Sequence, residues 1–206
     1  DHGVKRMDGA ICINEWLLRE GYLVLRQPPV AESDVVKFEQ LDVDWSRTRA
    51  WGDGGYYGRL FLNIAGREPE GAVAPEQADA LLTEISTRLE SLGDENGQPI
   101  GTRCFRPHDL YPQVNGIPPD LLVYFGDLHW RSVGTVGWGR VHIHENDTGP
   151  DDANHAQQGI LIYADPGHDL GGVHQVGMKL LQVAPTVLTM LGLPIPADMQ
   201  AGPMEA

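Results

Sequence analysis

Cysteine is nearly missing from this chain, with only Cys12 and Cys104 among 206 residues. Their wide separation and lack of metal-type spacing exclude a disulfide framework or a cysteine-rich zinc cluster, and both are expected to be reduced and structural. Basic residues are also scarce, 15 against 29 acidic ones, for a formal net charge of -14. That imbalance opposes non-specific binding to nucleic acid or to anionic membrane surfaces. An anionic substrate must then be held locally, by metals or a few placed donors. No apolar run approaches the ~18 residues needed to cross a bilayer, and no basic-then-apolar leader stands at the start. A soluble product is expected, cytoplasmic rather than secreted. The first residue is Asp1 rather than Met, and a motif begins there with no strand before it, as in a piece of something longer.

What is present is ordinary globular material, 41% hydrophobic, enough to bury one substantial core or two small ones. Asn14 reads as the cap of a short helix through Trp16, Leu17 and Leu18 to Gly21, and YLVLRQ reads as a strand after it. Trp45, Trp51, Gly52, Gly54, Gly55, Tyr56 and Tyr57 mark an irregular, aromatic and glycine-rich region, followed by a strand over RLFLNIAG. Pro75 suits a first helical turn. From there Ala78, Leu81, Leu82, Ile85, Leu89 and Leu92 recur at three- and four-residue steps until Gly93. DLLVYFGD (120–127) and GILIYADPG (159–167) have the profile of strands covered on both faces. Pro185 opens a last helix through Val187, Leu188 and Leu191, ended by Gly192. Apolar strands alternating with amphipathic helices predict an α/β sandwich around a mainly parallel sheet.

Two polar places hold residues suited to divalent-metal chemistry. ENDTGPDDANHAQQG (145–159) sets four carboxylates around His155 in a stretch bounded by Gly149, Pro150 and Gly159, which reads as an exposed loop. Asp1 and His2 open the chain beside Gly3. Imidazole and carboxylate oxygen are the usual ligands of zinc and similar ions, and hydrolytic sites join such residues from separate loops. Three other features are weighed against plainer readings. His142 and His144 share a face if they lie on a strand, a spacing used by cupin-like metal binders, against a half-exposed strand face. Arg67 in GREPEG is either a phosphate clamp or one side of a local ion pair. The aromatic residues from Trp51 to Tyr57 either stack a nucleobase or pin their loop to the core.

The order DHG, NEWLLREGYL, AWGDGGYYGRLFLNIAGREPEG, PPDLLVYF, ENDTGPDDANHAQQGILI and VAPTVLTMLGLPIPADM resembles the C-terminal half of a type I phosphodiesterase/nucleotide pyrophosphatase of the alkaline phosphatase superfamily, over nearly the whole chain. The resemblance implies an alkaline-phosphatase-like α/β/α sandwich, with residues 1–206 forming the C-terminal portion of a single catalytic domain whose N-terminal half lies outside this chain. It implies a two-metal hydrolase of phosphoric (di)esters or nucleotide pyrophosphate bonds. Zinc is the expected ion, with manganese or magnesium as alternatives, and the partners are a small phosphate-ester or nucleotide substrate and the missing half-domain. Asp1 and His2 would serve one ion and His155 the other, with Asp151, Asp152 and Asn154 orienting the imidazole. The family's Thr or Ser nucleophile and remaining ligands belong upstream of DHG, so no nucleophile is assigned. Thr148 reads as a loop residue and Thr186 as part of a helix start. Gln182 stands where an acid is expected before VAPT, a departure that concerns local packing. By itself the chain is expected to be inactive, and the alternatives are a non-catalytic fragment or binding module, or a sulfatase or phosphomutase of the same superfamily.

Overall fold

A computed structural model describes residues 2–27, 35–145, 152–164, 166–167, 171–172 and 174–204. The chain divides into two units, Val4–Gln157 and Asp1–Gly3 with Gln158–Ala206. In the larger unit β1 (Gly3–Arg6) and β2 (Gly9–Cys12) lead into α1 (Ile13–Arg19). The hairpin of β3 (Ala50–Asp53) and β4 (Gly58–Leu62) comes next, then α2 (Ala78–Glu90), entered through a 3-10 turn at Pro75–Gln77. After these come β5 (Arg103–Phe105), α3 (Pro107–Leu110), β6 (Leu121–Tyr124), β7 (Trp130–Val133), β8 (His142–Ile143) and β9 (Ala153–Ala156).

These strands form three small sheets, ordered β1-β9, β7-β2-β8 and β3-β4-β6-β5. Among the described residues the predicted mainly parallel sheet, and with it the alkaline-phosphatase-like sandwich, does not form. Only β2 with β7 pairs in parallel among the registered ladders, while β2–β8, β3–β4, β4–β6 and β5–β6 are antiparallel. The physical reason lies in the placement of β6. The amphipathic helix α2 does join two strands of the same direction, β4 and β5, as a crossover should. But β6 inserts between them and pairs antiparallel with both, a split β-α-β arrangement. Helix–strand alternation along a sequence does not say which strand fills that gap.

Local readings fare better. Leu81, Ile85 and Leu89 lie on one stripe of α2 and are buried, each stabilising the fold by about 1.5–3 kcal/mol. They share a core cluster with Leu60 and Leu62 of β4, Leu121 and Val123 of β6, and Ile13, Trp16 and Leu17 of α1. Gly21, at φ 74, takes the left-handed position after α1 that a Cβ would disfavour. The strand expected at YLVLRQ reduces to an isolated bridge between Leu25 and Val43. In the smaller unit a 3-10 turn at Leu180–Gln182 runs into α4 (Val183–Met190). The strand expected at 159–167 is absent over 159–164, and Ile160 and Ile162 are 92% and 87% exposed. Among the described residues no helix is long and apolar enough to cross a membrane.

Asn14 is not a cap. It lies inside α1, fully buried, with Cys12 at the N-cap position. Its Nδ2 donates to the carbonyls of Gly52 and Gly134 at 2.8 and 2.7 Å, and its Oδ1 accepts the Gly52 N–H at 2.8 Å. The carboxamide therefore ties β3 to the segment leaving β7. The same seam explains Gly52 and Gly54 of the WGDGG run. A Cβ on Gly54 would stand 2.6 Å from the Gly134 nitrogen, and one on Gly52 2.7 Å from the Ile13 side chain. Gly55 and Ser132 exchange two backbone hydrogen bonds at 2.8 and 2.9 Å. Asn14→Ala leaves one buried donor and two buried carbonyls without this partner, so it is expected to lower the unfolding free energy by about 2–4 kcal/mol. Urea unfolding measures it, and a loss below about 0.5 kcal/mol would contradict the staple.

Candidate functional site

His155 sits on a strand and not in an open loop. Alternation along β9 buries Asn154 and leaves His155 half-buried. The Asn154 carboxamide donates to the carbonyls of Tyr56 and Leu128 at 3.1 and 2.8 Å and accepts the His155 backbone N–H at 2.8 Å. It is thus committed to backbone groups and not to the imidazole, and it fixes the strand where the β3–β4 turn and the 126–128 turn meet. The His155 ring is packed edge to face against Tyr56, which restricts its rotation. Asp152 is exposed, and its carbonyl accepts the Met7 N–H at 2.8 Å. Asp151 and Thr148 lie outside the described residues.

The 126–128 turn is a feature that sequence reading missed. Gly126, Asp127 and Leu128 have φ values of 56, 51 and 69. Left-handed backbone costs a residue with a Cβ about 1–2 kcal/mol, least for Asp and more for Leu. Lys5 stabilises the turn from β1, its Nζ donating to the Asp127 carbonyl at 2.7 Å and to the carboxylate at 3.0 Å. Strain of this kind gathers where side chains must be aimed, and here it presents the Leu128 carbonyl to Asn154. The only hint in the sequence was the Gly-Asp pair following an apolar strand.

His2 belongs to the smaller unit and His155 to the larger, and Asp1 lies outside the described residues. His2 is exposed, and its Nδ1 meets the Gly3 carbonyl at 2.9 Å. A carbonyl only accepts, so Nδ1 is the donor in this contact. Gly159 approaches His2 closely, since a Cβ there would stand 3.1 Å from the His2 carbonyl oxygen. Among the described residues no three His, Cys, Asp or Glu side chains converge as a metal-holding group. The described part of the chain does not assemble a closed metal site.

The remaining features resolve toward structure. His142 and His144 do share a face, both rings lying against Trp130. Their ring nitrogens, however, face the Gly93 carbonyl at 2.8 Å, the Asp8 carbonyl at 3.2 Å and Glu95 at 3.4 Å. Arg67 grips Asp120 with both arms of its fork, at 2.8 and 2.7 Å, and reaches Glu68 and the Leu62 carbonyl as well. That hydrogen bonding to Asp120 raises its pKa further above the ordinary arginine range. A phosphate would have to displace a bidentate carboxylate, so the ion-pair reading stands. Thr186 lies in α4, donating to the Gln182 carbonyl at 2.6 Å and accepting the Met204 N–H at 2.8 Å. Gln182 in turn accepts the Lys179 N–H at 2.9 Å, a local packing role.

A scan against protein-family models, a search of curated proteins and a search of solved structures each find no match to this chain.

Both cysteines are thiols. Burial, reinforced by Glu90, pushes the Cys104 thiol from the usual 9.0 up to about 12, the opposite of an activated nucleophile. Cys104 is expected to resist iodoacetamide at pH 8 until the protein unfolds, as read by mass spectrometry. The folded state keeps a proton that the unfolded state releases, so this contribution to stability is intact below pH 9 and is lost as pH rises toward 12. Tyr124 shifts the same way through burial. The expected result is therefore a smaller alkaline decline in urea midpoint for Cys104→Ala than for the unsubstituted chain, with an equal decline contradicting it.

Proposed function

We propose that this chain is part of a metal-dependent hydrolase of phosphoric (di)esters or nucleotide pyrophosphate bonds, and that it contributes Asp1, His2 and His155 to a two-metal site completed by residues outside it. The observation that carries the reading is the setting of His155. It is a half-buried imidazole held against Tyr56, on a strand fixed through Asn154 to two turns, one of them strained. A surface histidine with no task has no need of that support. The smaller unit adds a second argument. Ile160, Ile162 and Val176 are 92%, 87% and 83% exposed, and apolar surface of this kind is covered in a working protein.

Two divalent ions a few ångströms apart stabilise the attacking and departing oxygens of a displacement at phosphorus. They also answer the charge problem, because a protein at -14 can hold a phosphate ester that faces cations. The test measures zinc and manganese by mass spectrometry, together with hydrolysis of bis(p-nitrophenyl) phosphate, on this chain and on a form extended upstream. The extended form is expected to hold about two metals per chain and to turn over. His155→Ala should lose one metal and about 100-fold or more in kcat. An extended form that binds neither metal and hydrolyses nothing would leave a binding module as the reading.

A further inference from the structure

We propose that the larger unit carries a site for a small organic cation of the methylated-ammonium class, in a groove far in sequence from His155 and independent of the hydrolytic reading. The groove is open to solvent, has a volume of about 400 Å³ and is lined by Phe38, Trp45, Trp51, Glu68, Pro69 and Glu70, with Asn63 beneath them. Its aromatic side is a corner. Trp45 stands edge-on to Trp51, with ring centres 5.2 Å apart and planes at 87°, and Phe38 meets Trp45 at 74°. Phe61 stacks on Trp51 at 5.5 Å and holds that ring in place. All three lining rings are half-buried, so each packs on the core with part of its surface and offers the rest to the groove.

The opposite side is acidic. Glu68 and Glu70 lie on it, and the nearby guanidinium of Arg67 is already matched by Glu68 and Asp120. The lining holds two carboxylates and no cation, with Glu68 paired to Arg67, in a chain that is itself strongly acidic. The walls are also prefixed. Buried Asn63 donates from one nitrogen toward the Trp45, Thr48 and Glu70 carbonyls at 2.8, 2.9 and 3.0 Å, joining the aromatic wall to the acidic one from below. Gly71 closes the loop by an approach that no side chain permits, since a Cβ there would stand 2.3 Å from the Ile64 oxygen.

Indole faces carry the most negative quadrupole among side chains, and a cation within about 6 Å of a ring centre is attracted to it, more strongly when partly desolvated. Perpendicular rings with carboxylates opposite suit a rounded cation whose charge is spread over methyl groups. A nucleotide would stack on the same rings but would bring its phosphates to the acidic rim, so charge favours the ammonium.

The test titrates choline and its neutral isostere 3,3-dimethylbutan-1-ol into the 15N-labelled chain and follows the indole N–H signals of Trp45 and Trp51. Choline is expected to shift both saturably, with the isostere about tenfold weaker. Glu70→Gln, an exposed change that leaves the core untouched, should weaken choline about threefold. Trp45→Phe keeps a ring and should weaken it by a similar factor. Equal affinity for the isostere would overturn the proposal in favour of a plain apolar groove. Saturable binding of AMP in place of choline, or no choline shift up to about 0.1 M, would overturn it as well.

Discussion

The larger unit depends on one buried carboxamide. Asn14 presents two donors and an acceptor to Gly52 and Gly134, and so, beside the single Gly55–Ser132 bridge, ties the four-stranded sheet to the three-stranded one. Sheets joined only by apolar packing can slide, whereas a buried amide has one geometry in which its polar atoms are satisfied. Glu15, the next residue along α1, adds to this. Its carboxylate accepts the N–H groups of Gly137, Trp138 and Gly139, fixing the segment beyond Gly134. The glycines at 52 and 54 follow from the closeness of the seam, since side chains there would meet Ile13 or backbone, whereas Gly55 follows from its φ of 139.

Positional order is carried outward from that seam to the strand of His155. Gly55 pairs with Ser132, and the next residue, Tyr56, offers its carbonyl to Asn154 and its ring to His155. From the other side, the strained turn at 126–128 offers the Leu128 carbonyl to the same amide. Asn14 and Asn154 thus do the same work at two places: each satisfies backbone groups of separate elements and leaves no freedom in how they meet. The backbone of His155 inherits its position from this chain of amides, and its ring lies against Tyr56.

How much of this could be read in the sequence varies with the range of the interaction. Helix α2 and strands β4 and β6 were legible because Leu81, Ile85, Leu89 and the apolar runs state their own periodicity. Gly21 and Gly192 were legible because a left-handed helix end needs glycine. The parallel sheet was misread because insertion of β6 between β4 and β5 is a long-range choice with no local mark. GILIY was misread because an apolar run predicts burial, and 160–163 are exposed in this chain. Asn14 looked like a cap because Asn favours that position, and only the partners at Gly52 and Gly134 reveal otherwise. For the candidate site, His155 was found from its acidic surroundings, yet the residues that hold it, Asn154 through its backbone bonds and Tyr56 through its ring, come from contacts 98 and 26 residues away in sequence. Arg67 was legible as an ion pair but not in its main partner, Asp120.

The central claim is that a single hydrogen-bonded seam holds the His155 strand as part of the core. Amide hydrogen exchange at Gly52, Gly55 and His155 tests it directly, with Leu62, whose N–H is bonded to Asp120 at 2.7 Å, as the core reference. The account predicts that all four exchange in one slow class, opening only with global unfolding. Rapid exchange at Gly55 and His155 while Leu62 stays protected would show that the strand opens independently of the core, and would contradict it.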